Sequence, residues 1–226
     1  MSGLFSLAVA PILILCVYMY IRDKYEKEPI RLLVVGIVFG IVITFPIIQA
    51  QYFTMGFMPL TNEIGEAAYV SFVVAGVVEE AFKFAVLLAL TWRNRNLNEP
   101  LDGIVYAVFI SLGFAGMENV LYVFNPEIGG LETGLLRAFT SVPAHMMFGV
   151  SMGYYFARAR LFGDVAINMI KAFFSAVFLH GAYNFFLLSG IWWALIPFTA
   201  FFGGMLVLGV RKINKYVRES PFRPAA

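Results

Sequence analysis

Seven stretches of the chain, near 3–21, 32–50, 67–91, 102–123, 136–157, 165–188 and 190–210, are apolar for about as long as a bilayer is thick. A helix rising about 1.5 Å per residue needs about 20 such residues to cross about 30 Å of hydrocarbon. None of the seven alternates with the two-residue period of a barrel strand. The last two are joined only by a turn at Ser189 and Gly190, so they form an antiparallel hairpin. The first has no Lys or Arg ahead of its apolar run, and that run is longer than a signal-peptide core, so it reads as a retained span. Composition agrees: 61% of the 226 residues are hydrophobic and only 13% are charged. A soluble fold of this size cannot hide so much apolar surface. An ordinary soluble enzyme and a disordered chain are excluded, and the single cysteine, Cys16, offers neither a disulfide framework nor a CxxC site. The expected fold is all-α: one polytopic helical membrane bundle of about seven transmembrane helices, a single domain over 1–226.

The basic residues give the bundle a direction. Arg22, Lys24, Lys27 and Arg31, then Arg93 and Arg95, then Arg158 and Arg160, and finally Arg211, Lys212, Lys215, Arg218 and Arg223 fall on one side of such a bundle. Those are thirteen of the sixteen Lys and Arg, against Arg137 alone on the other side. By the positive-inside rule the N-terminus is outside and the C-terminus cytoplasmic. The outer connections 51–66 and 124–135 carry Glu63, Glu66, Glu127 and Glu132 and no basic residue.

Ionisable groups within the spans are costly, at least about 2.5–3.5 kcal/mol each on insertion scales, and so mark function by default. The third span holds Glu79, Glu80 and Lys83, the fourth Glu118 and Asn119, the fifth His145, and the sixth His180 and Asn184. Helical spacing puts Gly76, Glu80, Lys83 and Leu87 on one stripe and Ser111, Ala115, Glu118 and Tyr122 on another. Ser141, His145, Gly149 and Gly153 recur every four residues, and His180 and Asn184 are one turn apart. Four helices thus each bring a polar face, which points to one shared interior. Simpler readings hold for some groups. Gly149 and Gly153 are helix-packing positions, Lys83 neutralises Glu79 one turn earlier, Asp102 is the N-cap of the fourth span, and Lys171 snorkels to the membrane face. Two adjacent carboxylates deep in a span have no such simple role, because they repel and resist desolvation.

Carboxylates, imidazoles and an amide support hydrolysis in two ways. A carboxylate takes a proton from water while donors polarise the carbonyl, or His and Glu hold a metal that activates the water. Glu80, Glu118, His145 and His180 are the candidate ligands for a divalent metal such as Zn²⁺. There is no HExxH, no GxSxG and no P-loop. The basic residues flank the membrane without forming an aromatic-interleaved stripe, so nucleic-acid binding is disfavoured. The alternative from another class is a proton-coupled transporter or channel with a buried Glu/His relay. Such proteins often show repeated halves, and no internal repeat is evident.

EEAFK (79–83), DGIVY (102–106), GFAGMEN (113–119), the spaced Arg137, His145, Gly149 and Gly153, and HGAYNF (180–185) resemble the motifs of the PrsW intramembrane proteases. That family belongs to the superfamily of CAAX-processing and bacteriocin-immunity proteases. The resemblance runs from KYEKEP (24–29) through the last hairpin, with five motifs in order. It implies a multi-pass protease of the bacterial cell membrane. Its partner would be a single-span anti-sigma factor, cut first on the extracytoplasmic side (site 1), which starts regulated proteolysis and releases a stress-response sigma factor. It also implies Glu79, Glu80 and His180 as catalytic residues; from their place in the polar stripes, Glu118, His145, Asn184 and Lys83 are expected to support them. Some relatives have Asp where this sequence has Asn184. Members have been classed as metalloproteases, and the wider superfamily is argued to be of glutamate type, so the resemblance leaves both chemistries open.

Overall fold

The computed structural model describes residues 2–59 and 62–224, so Leu60 and Thr61 of the expected outer connection lie outside it. Most of the described residues are helical, with no strand among them. In chain order the helices are α1 (Ser2–Arg22), α2 (Ile30–Met55), α3 (Glu63–Tyr69), a π segment (Val70–Val77) and α4 (Val78–Thr91). These are followed by α5 (Pro100–Val123), α6 (Leu131–Phe139), α7 (Ser141–Leu161), α8 (Val165–Leu188), a 3₁₀ turn (Trp192–Ala194) and α9 (Leu195–Arg218).

Five helices are long and apolar enough to cross a membrane: Gly3–Arg22, Ile30–Met55, Pro100–Val123, Val165–Leu188 and Trp192–Arg218. The expected third span, 67–91, exists as a rod from Glu63 to Thr91, but it is α, then π, then α, and it carries the charges of Glu79, Glu80 and Lys83. The expected fifth span, 136–157, is two helices instead of one. Thr140 leaves the helical region at φ −121° and ψ −67°, separating α6 from α7. Pro143 explains the break: it has no N–H to give, and its ring excludes the carbonyl four residues earlier, so a helix starts near it and does not run through it. Asp102 is likewise not the N-cap of its helix. Glu99 holds that place, and Asp102, three residues on, accepts the N–H groups of Asn98 (2.8 Å) and Glu99 (2.7 Å).

The bundle is built around α5, which is buried without interruption from Pro100 to Ala115 and packs on α1, α2, α4 and α7. Close approach depends on missing side chains. A Cβ at Gly153 would collide with the carbonyl of Gly103 and would stand 2.6 Å from the Cα of Ile104. A Cβ at Gly113 would meet the backbone of Ile37 on α2. These contacts make the 149/153 glycines packing positions between α5 and α7. The outward faces carry Leu13, Ile14, Val38, Phe45, Phe174, Phe178 and Ile196, the surface expected where lipid is the solvent. At the turn from α8 to α9, Gly190 takes φ +68°, a conformation that glycine adopts without penalty.

At one end of the bundle the α1–α2 turn meets the start of α5. The Asp23 carboxylate accepts the N–H of Glu28 (2.8 Å), and the Tyr106 hydroxyl donates to Glu28. Burial pushes the Asp23 carboxyl up to about 6 and that of Glu28 up to about 7.

Candidate functional site

The π segment delivers the site. Its wider turn places Ser71, Val74 and Gly76 toward the interior and hands on to the first turn of α4, which holds Glu79 and Glu80. Gly76 lets α8 come close: a Cβ there would stand 3.2 Å from the carbonyl of Val177. On the same stretch of α8, Gly181 leaves room for the ring of Phe72, and His180 points at the carboxylates of α4.

Glu80 lies at the centre, fully buried, with one oxygen accepting from Lys83 Nζ (2.8 Å) and from His180 Nδ1 (2.8 Å). Its other oxygen, also buried, has no hydrogen-bond partner among the described residues. Glu79 accepts from Gln51 Nε2 of α2 (3.0 Å) and from Lys83 (3.4 Å), and lies 3.7 Å from His180 Nε2. Lys83 also lies 3.3 Å from His145 Nδ1 and 4.1 Å above the ring of Phe114. The expected pairing of Lys83 with Glu79 is therefore shared, and its shorter contact is to Glu80.

His145 is oriented from behind. Its Nε2 meets Glu118 Oε2 at 3.0 Å, and Arg137 of α6 donates to that same oxygen at 2.7 Å. Arg137 is fixed in turn by Asn119 Oδ1 (2.9 Å) and the Tyr122 ring (4.0 Å), and Asn119 donates to the carbonyl of Ala8 (2.7 Å). With Nε2–H directed at Glu118, His145 turns the lone pair of Nδ1 toward Lys83 Nζ. Likewise His180, with Nδ1–H directed at Glu80, presents Nε2. Phe148 stacks on His180 with ring centres 4.7 Å apart and planes 16° apart, which holds the imidazole in its plane.

The structure thus brings together Glu79, Glu80, Lys83, Glu118, His145 and His180, all expected from the sequence. Asn184 is the exception: it is half-buried and makes no hydrogen bond to the cluster among the described residues. Three contributors were not expected. Arg137 is marked in the sequence as the lone basic residue of its side and as part of a family motif, but not as a partner of Glu118. Gln51 falls in the expected outer connection 51–66, whereas α2 runs on to Met55, and Phe148 carries no sequence signal that separates it from its apolar neighbours.

The charges explain what this centre accepts. With both carboxyls ionised, Glu79 and Glu80 against Lys83 would leave one negative charge buried, since Glu118 is matched by Arg137. A buried charge of that kind needs a partner. Glu79, Glu80, His145 and His180 each offer one ligand atom, all within 4.8 Å of one another. Two imidazole nitrogens and two carboxylates are the donor chemistry of a transition-metal site, and Glu118 behind His145 is the usual supporting carboxylate. The residues present fit a bound divalent metal: two imidazole nitrogens and a carboxylate are a usual catalytic ligand set, with a second carboxylate beside it.

Comparison with known proteins gives the same picture from another side. The family model described as PrsW family intramembrane metalloprotease matches residues 28–210. A protein named Protease PrsW from Clostridioides difficile (strain 630) is 34% identical over 221 residues, 96% of this chain and 92% of that protein. One of the same name from Bacillus subtilis (strain 168) is 34% identical over 219 residues, covering 95% and 96% of the two chains. Another, from Geobacillus kaustophilus (strain HTA426), is 33% identical over 210 residues, covering 87% and 90%. No solved structure matches.

Proposed function

The chain belongs to the PrsW family of intramembrane metalloproteases, and so is a multi-pass bacterial membrane protein that hydrolyses peptide bonds; on that premise we propose that it makes the site-1 cut in a single-span anti-sigma factor. The cut falls on the extracytoplasmic side and starts the regulated proteolysis that frees a sigma factor. The N-terminus is outside and the C-terminus cytoplasmic, with the helical rod 63–91 and α7 crossing alongside the five apolar helices. Support for this direction comes from the thirteen basic residues of one flank. The acidic Glu63, Glu66, Glu127 and Glu132 border the outer side and favour neutral or basic substrate segments.

The observation that carries the reading is Glu80: fully buried, held at one oxygen by Lys83 and His180, and unpartnered at the other. A divalent metal such as Zn²⁺, held by Glu79, His145 and His180, would polarise the scissile carbonyl and lower the pKa of water when bound, and would leave the second oxygen of Glu80 free. The free oxygen of Glu80 takes the proton from the attacking water. Lys83 donates to both Glu79 and Glu80, and Gln51 holds Glu79 in place. His180 Nδ1–H holds the Glu80 carboxylate in place, and the proton that Glu80 takes from water passes to the leaving nitrogen, which needs one when the C–N bond breaks. His145 is kept in one tautomer by Glu118 and Arg137. Phe114 and Phe148 exclude bulk water from the same space, which strengthens each electrostatic contact.

The test is cleavage of a single-span reporter by the full-length protein in liposomes, followed by sequencing of the product's new N-terminus. A cut close to the extracytoplasmic membrane surface is expected. A cut in the cytoplasmic portion, or none, would contradict the proposal.

A further inference from the structure

A second group of carboxyls gathers far from the first. Asp102 begins α5 and Glu118 lies near its end, sixteen residues and so about 24 Å away along the helix. Around Asp102 stand Asp23, Glu26 and Glu28 of the α1–α2 turn and Glu99 at the head of α5. One oxygen each of Asp23, Glu99 and Asp102 lie within 4.8 Å of one another, and so do one each of Glu26, Glu28 and Asp102. Asp23, Glu28, Glu99 and Asp102 are each at most 1% exposed.

The use of their oxygens is uneven in a consistent way. Asp23 Oδ2 accepts the Glu28 N–H, Glu28 Oε2 accepts the Tyr106 hydroxyl, and Asp102 Oδ2 accepts the N–H groups of Asn98 and Glu99. In each of the three the other oxygen, Asp23 Oδ1, Glu28 Oε1 and Asp102 Oδ1, is buried without a hydrogen-bond partner. One oxygen thus ties down the local chain while the second is left without a donor. Basic residues are plentiful nearby, and their hydrogen bonds and ring contacts go to other groups. Arg22 donates to Asn214, Lys27 donates to the carbonyl of Tyr20 (3.2 Å) and lies over its ring, and Lys24 lies over the ring of Tyr25. Among the described residues no Lys or Arg forms an ion pair with any of the five carboxyls.

We propose that Asp23, Glu26, Glu28, Glu99 and Asp102 form a binding site for a hard divalent cation, Ca²⁺ or Mg²⁺, that joins the α1–α2 turn to the start of α5. Only oxygen donors are offered, which selects these ions over zinc or copper. The site is separate from the Glu/His centre and is independent of the proposed protease chemistry. Bound there, the cation fixes the start of the central helix against the first two helices of the bundle. The competing account is that shared protons, and no metal, neutralise these carboxyls.

Tb³⁺, which takes the place of Ca²⁺ at oxygen sites, is the probe, because Tyr106 is in contact with Glu28 and can sensitise its emission. Full-length protein in detergent should show saturable Tb³⁺ emission, displaced by Ca²⁺ or by Mg²⁺; the stronger competitor identifies the ion. Glu28→Gln, which keeps an oxygen for Tyr106, should weaken binding by about tenfold or more. His180→Ala should bind Tb³⁺ as the wild type does. Absent emission, emission unchanged in Glu28→Gln, or emission lost in His180→Ala would overturn the proposal. If Glu28→Gln does not accumulate, the thermal midpoint of the wild type decides. A rise with Ca²⁺ or Mg²⁺ that persists in His180→Ala supports the site, and no rise with either ion refutes it.

Discussion

Glu118→Gln isolates the positioning of His145 from the chemistry itself. The Glu118 carboxylate receives two donors at one oxygen, Arg137 at 2.7 Å and His145 Nε2 at 3.0 Å. Gln nearly preserves the volume but halves the acceptor capacity and adds an N–H₂ that faces donors. The Arg137 guanidinium is not stranded by the change, because Asn119 and the Tyr122 ring still hold it. The fold therefore survives, while His145 loses the acceptor that sets its tautomer and plane. Removing such a supporting partner typically costs about 10–100-fold in metal affinity or activity. That range corresponds to about 1.4–2.7 kcal/mol of transition-state stabilisation. The assay is the initial rate of reporter cleavage in liposomes, normalised to folded protein, with Glu118→Asp beside it. The Asp variant restores the charge and should recover part of the rate, which a purely structural role would not produce. Unchanged cleavage in Glu118→Gln would refute the reasoning.

Other sites allow equally direct tests. Gly153→Leu forces α5 and α7 apart where a Cβ already meets the Gly103 carbonyl, and overpacking of this kind costs about 1–3 kcal/mol; the thermal midpoint should fall, and an unchanged one would contradict the packing role. Gln51→Leu removes the Glu79 donor at 3.0 Å, a bond to a charged group worth about 1.5–3 kcal/mol, and should slow cleavage by about tenfold or more. Cleavage at the wild-type rate would remove Gln51 from the site. Asn184→Ala should reduce cleavage less than either Glu118→Gln or Gln51→Leu, since no hydrogen bond ties Asn184 to the cluster; a larger loss would show that it acts in the reaction.

The helical bundle and the clustering of charged groups were readable because both follow from period and from the cost of burying charge in lipid. Stripes at three and four residues brought Glu80, Lys83, His145 and His180 to one interior, and the structure joins them. Helix ends were harder to read. The break at Thr140 depends on Pro143, and an apolar run of the right length concealed it. The π segment was invisible for a similar reason: it adds a residue to a turn without changing composition. Arg137 and Gln51 reach the site from helices distant in sequence, and spacing along one helix says nothing of partners on another. An Asp after a Pro fits the N-cap role, so the sequence points to Asp102 for it. The cap is one turn earlier, at Glu99, and what sets Asp102 apart is the company of four other carboxyls, which only the fold reveals.

The central claim is that Glu80 is the proton acceptor in a site completed by His180. Cleavage of the single-span reporter by the wild type and by Glu80→Gln, measured side by side at equal levels of folded protein in the membrane, tests it most directly. Gln is nearly isosteric and can still accept from Lys83 and His180, so the fold is kept while the base is lost. A general base contributes about 10²–10⁴-fold, so the variant should cleave below detection. Cleavage by Glu80→Gln at the wild-type rate would contradict the account.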